Sequence, residues 1–150
     1  MKLKRSLLIT ALGLSILSSA TGASAAETEG LVNSQEKSFT QVPDGTGGSI
    51  LAKNKVHGKL TTHSPFGGGA YAVAKSSSNK IQDYIYARAK TFNGDGSLIK
   101  TNSASSKKAD YIGVKTMNGT AYFGNDWAVG THIFKLKGYK DITGQTKAYW

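Results

Sequence analysis

From Ser49 to Trp150 the apolar runs are short, and each is closed by Gly, Asn, Asp or Ser. Punctuation of this kind favours strands joined by tight turns over long helices. The runs cover residues 49–56, 58–62, 70–75, 80–92, 97–101, 109–116, 120–123, 131–137 and 145–149. Between them lie Gly67-Gly68-Gly69, Ser76-Ser77-Ser78-Asn79, Asn93-Gly94-Asp95-Gly96 and Met117-Asn118-Gly119. Asn-Gly and Asp-Gly accept the positive φ that hairpin turns demand. The expected fold is all-β, an antiparallel β-sandwich or small barrel of about 7–9 short strands.

Side-chain alternation supports this reading unevenly. Along 131–137, His132, Phe134 and Leu136 point one way, and Thr131, Ile133, Lys135 and Lys137 the other. Along 80–92, Ile81, Asp83, Ile85, Ala87 and Ala89 form one strand face. Lys80, Tyr84, Tyr86, Arg88, Lys90 and Phe92 form the opposite face. Ile81, Tyr84, Ile85, Arg88 and Ala89 also follow helical spacing, so strand and helix both stay open for this stretch. Residues 101–108 (TNSASSKK) read as a solvated loop.

The first 25 residues read as a signal peptide. Lys2, Lys4 and Arg5 precede an apolar stretch at 7–17, and Ala23-Ser24-Ala25 supplies a small-x-small cleavage site near Ala26. A stretch of 11 residues falls short of the about 20 that span a bilayer. The expected destination is extracellular. The chain has no cysteine, which excludes disulfide frameworks, zinc fingers and thiol catalysis. An exported domain without disulfides must rely on its core, a habit suited to Gram-positive exoproteins.

Charge is unevenly spread. The 19 Lys and Arg outnumber the 9 Asp and Glu, and the formal net charge is +10. Residues 26–48 carry Glu27, Glu29, Glu36 and Asp44 against Lys37 alone, and read as a flexible acidic arm with a turn-rich hinge from Pro43. Residues 49–150 read as a basic β-domain.

No catalytic motif stands out. His57, His63 and His132 lack the close spacing of a metal site. Asn93-Gly94-Asp95-Gly96 has Asn102 where a calcium loop needs its bidentate Glu, so a hairpin turn is the better reading. No G-x-S-x-G elbow occurs, and no Glu follows Glu36. Binding without turnover is expected, with no cofactor and no metal.

The strongest surface signal is the interleaving of cations with aromatic rings. Tyr84, Tyr86, Arg88 and Lys90 would share a strand face, while Lys135, Lys137, Tyr139, Lys140, Lys147, Tyr149 and Trp150 crowd the C-terminal part. Cations attract anionic polymers and headgroups, and rings sit at a lipid boundary. Export makes nucleic acid an unsuitable partner. Anionic cell-envelope components fit better: teichoic acid, anionic lipid or a wall precursor, with peripheral membrane contact by a monomer. Tyr139, Tyr149 and Trp150 would insert, and deleting 146–150 would abolish binding.

The signal ending Ala23-Ser24-Ala25, the Gly/Ser/Tyr/Lys-rich strands and the closing Thr146-Lys147-Ala148-Tyr149-Trp150 resemble small cysteine-free secreted proteins of Gram-positive bacteria. Among these, the chain resembles the lactococcin type of bacteriocin. That resemblance implies a small β-sandwich that blocks septum formation by binding lipid II, and it assigns no binding residue here. Gly130-Thr131-His132-Ile133-Phe134 with Gly138-Tyr139 is similar to a pattern in Bacillus-type secreted proteins. Two other functions remain: a carbohydrate-binding or adhesin-like module, and a secreted enzyme or enzyme inhibitor.

Overall fold

The structure, a computed structural model, describes residues 29–45 and 52–150. Eight strands follow one another: β1 (Leu31–Gln41), β2 (Asn54–His63), β3 (Ala70–Gln82), β4 (Tyr84–Phe92), β5 (Leu98–Ser106), β6 (Ala109–Gly119), β7 (Trp127–Lys135) and β8 (Ile142–Tyr149). They form two antiparallel sheets, ordered β1-β2-β3-β6 and β5-β4-β7-β8. The sheets pack face to face, with β1 and β2 against β8, and β6 against β4 and β5. The fold is a sandwich.

Small residues line the inner faces. Ala70, Ala72, Ala74, Ala87, Ala89, Ala128 and Ala148 are buried with Leu60, Val114 and Trp150 in one cluster, and Val56, Ile85 and Phe134 form a second. A polar layer separates the two. Gly58 pairs with Ser76 between the Val56 and Leu60 levels of β2, and His132 lies between Phe134 and Gly130 on β7. Ser76 Oγ donates to the Tyr86 carbonyl at 2.7 Å and lies 3.0 Å from His132 Nδ1. The Ser76 hydrogen is therefore spent, and Nδ1 must donate. Nε2 then accepts from Thr146 Oγ1 at 2.9 Å. Burial holds His132 in its neutral form, with its pKa lowered to about 4. A Cβ on Gly58 would stand 2.4 Å from the His132 ring, so that position has no room for a side chain.

Several sequence expectations change. The signal peptide at 1–25 lies outside the described residues. Of the arm at 26–48, residues 31–41 are not flexible: they form edge strand β1, in register with β2 from Leu31↔His63 to Gln41↔Asn54. Phe39 packs against the Val56–Ile85–Phe134 cluster, and buried Gln41 accepts from Asn54 Nδ2 at 2.8 Å. An edge strand buries only part of its surface, so two anchoring side chains serve where the sequence shows few aromatics. Pro43 bridges to Tyr139, and the Asp44 amide donates to Gly138 at 3.0 Å. The sandwich thus begins before residue 49.

The stretch 80–92 is extended, not helical, but it breaks at Asp83 into two strands belonging to opposite sheets. The serine run Ser76-Ser77-Ser78 sits inside β3 because its hydroxyls find partners there: Ser78 Oγ accepts from Gln82 Nε2 at 2.8 Å. The strand expected at 97–101 is present but continues to Ser106 as exposed edge strand β5, so most of the stretch 101–108 is not a loop. Residues 120–123 form no strand. The buried Asp126 carboxylate accepts from the Tyr122 amide at 3.2 Å and from Asn118 Nδ2 at 3.0 Å, folding this apolar run into a turn.

Candidate functional site

Alternation along β4 buries Ile85, Ala87 and Ala89 and turns Tyr84, Tyr86, Arg88, Lys90 and Phe92 outward, each half-buried among its neighbours. Antiparallel pairing extends each position into a row across the sheet. Phe92 faces Trp127, which faces Tyr149. Lys90 faces Val129, which faces Lys147, and Arg88 faces Thr131, which faces Gln145. The outer face of β5-β4-β7-β8 therefore carries an aromatic row beside a cationic one.

The rings and cations hold one another in place. Phe92 and Trp127 stack with centroids 4.1 Å apart and planes 10° from parallel. From the β8 side, Lys147 Nζ lies 4.1 Å from the Trp127 centroid and 4.8 Å from that of Tyr149. Trp127 thus has a ring on one flank and a cation on the other, which leaves its edge, not its face, for a ligand. Arg88 Nη2 donates to Thr131 Oγ1 at 3.2 Å, while its buried Nε has no partner. Tyr84 and Tyr86 lie side by side with centroids 6.5 Å apart.

Carboxylates are elsewhere. Among the described residues the ion pairs join His57 to Glu36, Lys108 to Asp83 and Lys135 to Asp141. None reaches Arg88, Lys90 or Lys147. Asp83, at the β3–β4 corner, takes hydrogen bonds from Lys108 and from the Lys137 amide, and these hold its carboxyl below the usual range.

The C-terminal residues singled out in the sequence do not form one cluster. Lys135, Lys137, Tyr139 and Lys140 sit around the β7–β8 turn, whereas Lys147, Tyr149 and Trp150 lie at the far end of β8. At about 3.3 Å per residue, these groups stand roughly 25 Å apart. Lys147 and Tyr149 join Tyr84, Tyr86, Arg88 and Lys90 on the outer face. Lys135 lies there too, engaged with Asp141 at 3.0 Å. Lys137 and Lys140 are exposed turn residues.

Tyr139 and Trp150 are structural. Tyr139 is 6% exposed, donates to the Ala52 carbonyl at 2.8 Å and accepts from Lys80 Nζ at 2.7 Å. Trp150 is 4% exposed and fills the core. Neither reaches the surface to insert into anything, and loss of 146–150 would remove half of β8.

Sequence reasoning missed Trp127, because it placed the β7 run at 131–137 and left the tryptophan in a loop. The outward alternation Trp127, Val129, Thr131, Ile133 was the available signal. It also missed a second basic surface on the outer face of β1-β2-β3-β6. Lys115 Nζ there lies 3.6 Å from the Tyr71 ring centroid, and His63 stacks on Tyr71 at 4.6 Å. His57 shares that face with Ser38 Oγ at 2.9 Å, whereas His132 is interior. Among the described residues, no group of three or more His, Asp or Glu could hold a metal ion.

Comparison with protein-family models, with curated proteins and with solved structures found no match.

Proposed function

We propose that this is a secreted cationic protein that attaches to anionic components of the bacterial cell envelope and acts by binding, in the manner of an antibacterial bacteriocin. The observation that carries the reading is the outer face of β5-β4-β7-β8, where Arg88, Lys90 and Lys147 lie together with no carboxylate partner among the described residues. Unpaired cations on a rigid sheet favour phosphate-bearing polymers or headgroups. The ring-held position of Lys147 lowers the ordering cost of such contacts.

Sugar stacking is the weaker alternative, because Phe92 and Lys147 flank the two sides of the Trp127 ring. The test is co-sedimentation of residues 26–150, which include all eight strands, with intact Gram-positive cells at low and high salt, with survivors counted. Salt-sensitive binding with loss of viability supports the proposal. Binding unmoved by salt would favour the carbohydrate module, and no binding would overturn both.

A further inference from the structure

One end of the sandwich is layered along the strand axis in a way that the opposite end is not. At its extremity, Phe66 is fully exposed on the β2–β3 turn, and Tyr122 and Phe123 are 66% and 64% exposed on the β6–β7 turn. Among the described residues, none of the three belongs to either buried core cluster. They are nonetheless firmly presented. Gly68 N donates to the Pro65 carbonyl at 3.2 Å behind Phe66, and Gly124 N donates to the Trp150 carbonyl at 2.7 Å behind Phe123.

Behind these tips comes an aromatic row on one sheet, Trp127 and Tyr149; at the same level on the other sheet Tyr71 is buried, stacked on His63 and covered by Lys115. Two residues further back, about 7 Å along the strands, stand Lys90, Lys147 and Lys115. The ammonium groups of Lys147 and Lys115 lie against those rings, at 4.1 Å from Trp127 and 3.6 Å from Tyr71, and so lean toward the tip. Carboxylates at this end are few. Among the described residues, Asp126 is buried in the turn, leaving Glu29 and Asp95 at this end, whereas Asp44, Asp83, Asp110 and Asp141 belong to the opposite end.

Apolar tips, then an aromatic belt, then cations is the order in which a bilayer presents hydrocarbon, interface and phosphate. We propose that this end of the sandwich docks on an anionic phospholipid bilayer, with Phe66, Tyr122 and Phe123 entering the interface and Lys90, Lys115 and Lys147 meeting the phosphates. The proposal rests on the envelope reading above and names the envelope component as lipid. It also moves the inserting residues from Tyr139 and Trp150, which are buried, to two turns.

The test is flotation of residues 26–150 with vesicles of phosphatidylcholine alone or mixed with phosphatidylglycerol, run beside sedimentation with cells. The expected result is binding to the anionic vesicles only. The variant Phe66→Ser/Tyr122→Ser/Phe123→Ser should lose about tenfold or more of that binding, since affinity scales with buried apolar area. Its thermal midpoint should change little, because none of the three rings belongs to either core cluster. Lys115→Gln/Lys147→Gln should also weaken binding, whereas Lys137→Gln/Lys140→Gln at the opposite end should not. Wild-type protein that sediments with cells but ignores anionic vesicles would overturn the bilayer proposal and leave a wall polymer as the target. Tip-substituted protein that floats like wild type would overturn it equally. Protein that ignores both cells and vesicles would overturn the envelope reading itself.

Discussion

The indole of Trp150 donates to the carbonyl oxygen of His63 at 3.0 Å, tying the end of the chain in one sheet to the end of β2 in the other. Thr62 Oγ1 reinforces the tie by donating to the Tyr149 carbonyl at 2.8 Å. The chain end is thus a bolt between sheets. Trp150→Ala should cost about 3–5 kcal/mol, the usual range for emptying a buried tryptophan site. Urea unfolding measures this, and a change below about 1 kcal/mol would contradict the assignment. Deletion of 146–150 should prevent folding, so it cannot report on binding.

Gly58→Ala should destabilise by about 1–3 kcal/mol, because the new methyl would meet a ring held by hydrogen bonds at both nitrogens. Pairing it with His132→Ala should recover part of that loss. The double-mutant cycle from denaturant midpoints checks this, and strict additivity would show that the two sites do not touch.

Stability should fall with acidity in two separate windows. His132 has a folded pKa of about 4 against the ordinary 6.5, so the unfolded chain takes up the proton first. Its contribution is complete above pH 6.5 and is lost as the pH falls toward 4, by about 3 kcal/mol in all. His63, also lowered by burial, acts in the same direction. Asp83 and Asp95 have lowered carboxyl pKa values, so their contributions disappear only below the ordinary carboxylate range. Urea titrations between pH 7 and 4 should show the first loss before the carboxylates titrate. A flat profile in that range would contradict the buried neutral His132.

The strand architecture was largely legible in the sequence, because turn residues punctuate it, although β4 fitted helical spacing as well as strand alternation until its pairing with β7 decided for the strand. The failures share a cause. β1 and the second half of β5 belong to edge strands, exposed along much of their length, so their polar sequences carry no apolar alternation to detect. The run 120–123 looks like a strand, but the buried carboxylate of Asp126 outweighs it locally. The outer face of β4 could be read from period two alone. Its continuation through Trp127 and Lys147 needed the pairing register, which one sequence does not display. Tyr139 and Trp150 were misjudged because a ring near a chain end serves equally well as a core plug or a surface probe until its partners are known.

Association should weaken as salt screens the outer face, since the screening length falls from about 10 Å at 0.1 M to about 3 Å at 1 M. Lys135→Gln should leave binding nearly unchanged, because that ammonium is already engaged by Asp141. Cell sedimentation isotherms check this, and a loss as large as that from Lys147→Gln would contradict the division between paired and unpaired cations.

The most direct measurement compares wild type with Arg88→Gln/Lys90→Gln/Lys147→Gln in sedimentation with Gram-positive cells across a salt series. These side chains project from the sheet surface, so the triple variant should fold, which circular dichroism would verify. Binding of the triple variant should be reduced about tenfold or more at low salt, with the two proteins converging at high salt. Equal binding at low salt would contradict the central claim that this cationic face holds the envelope.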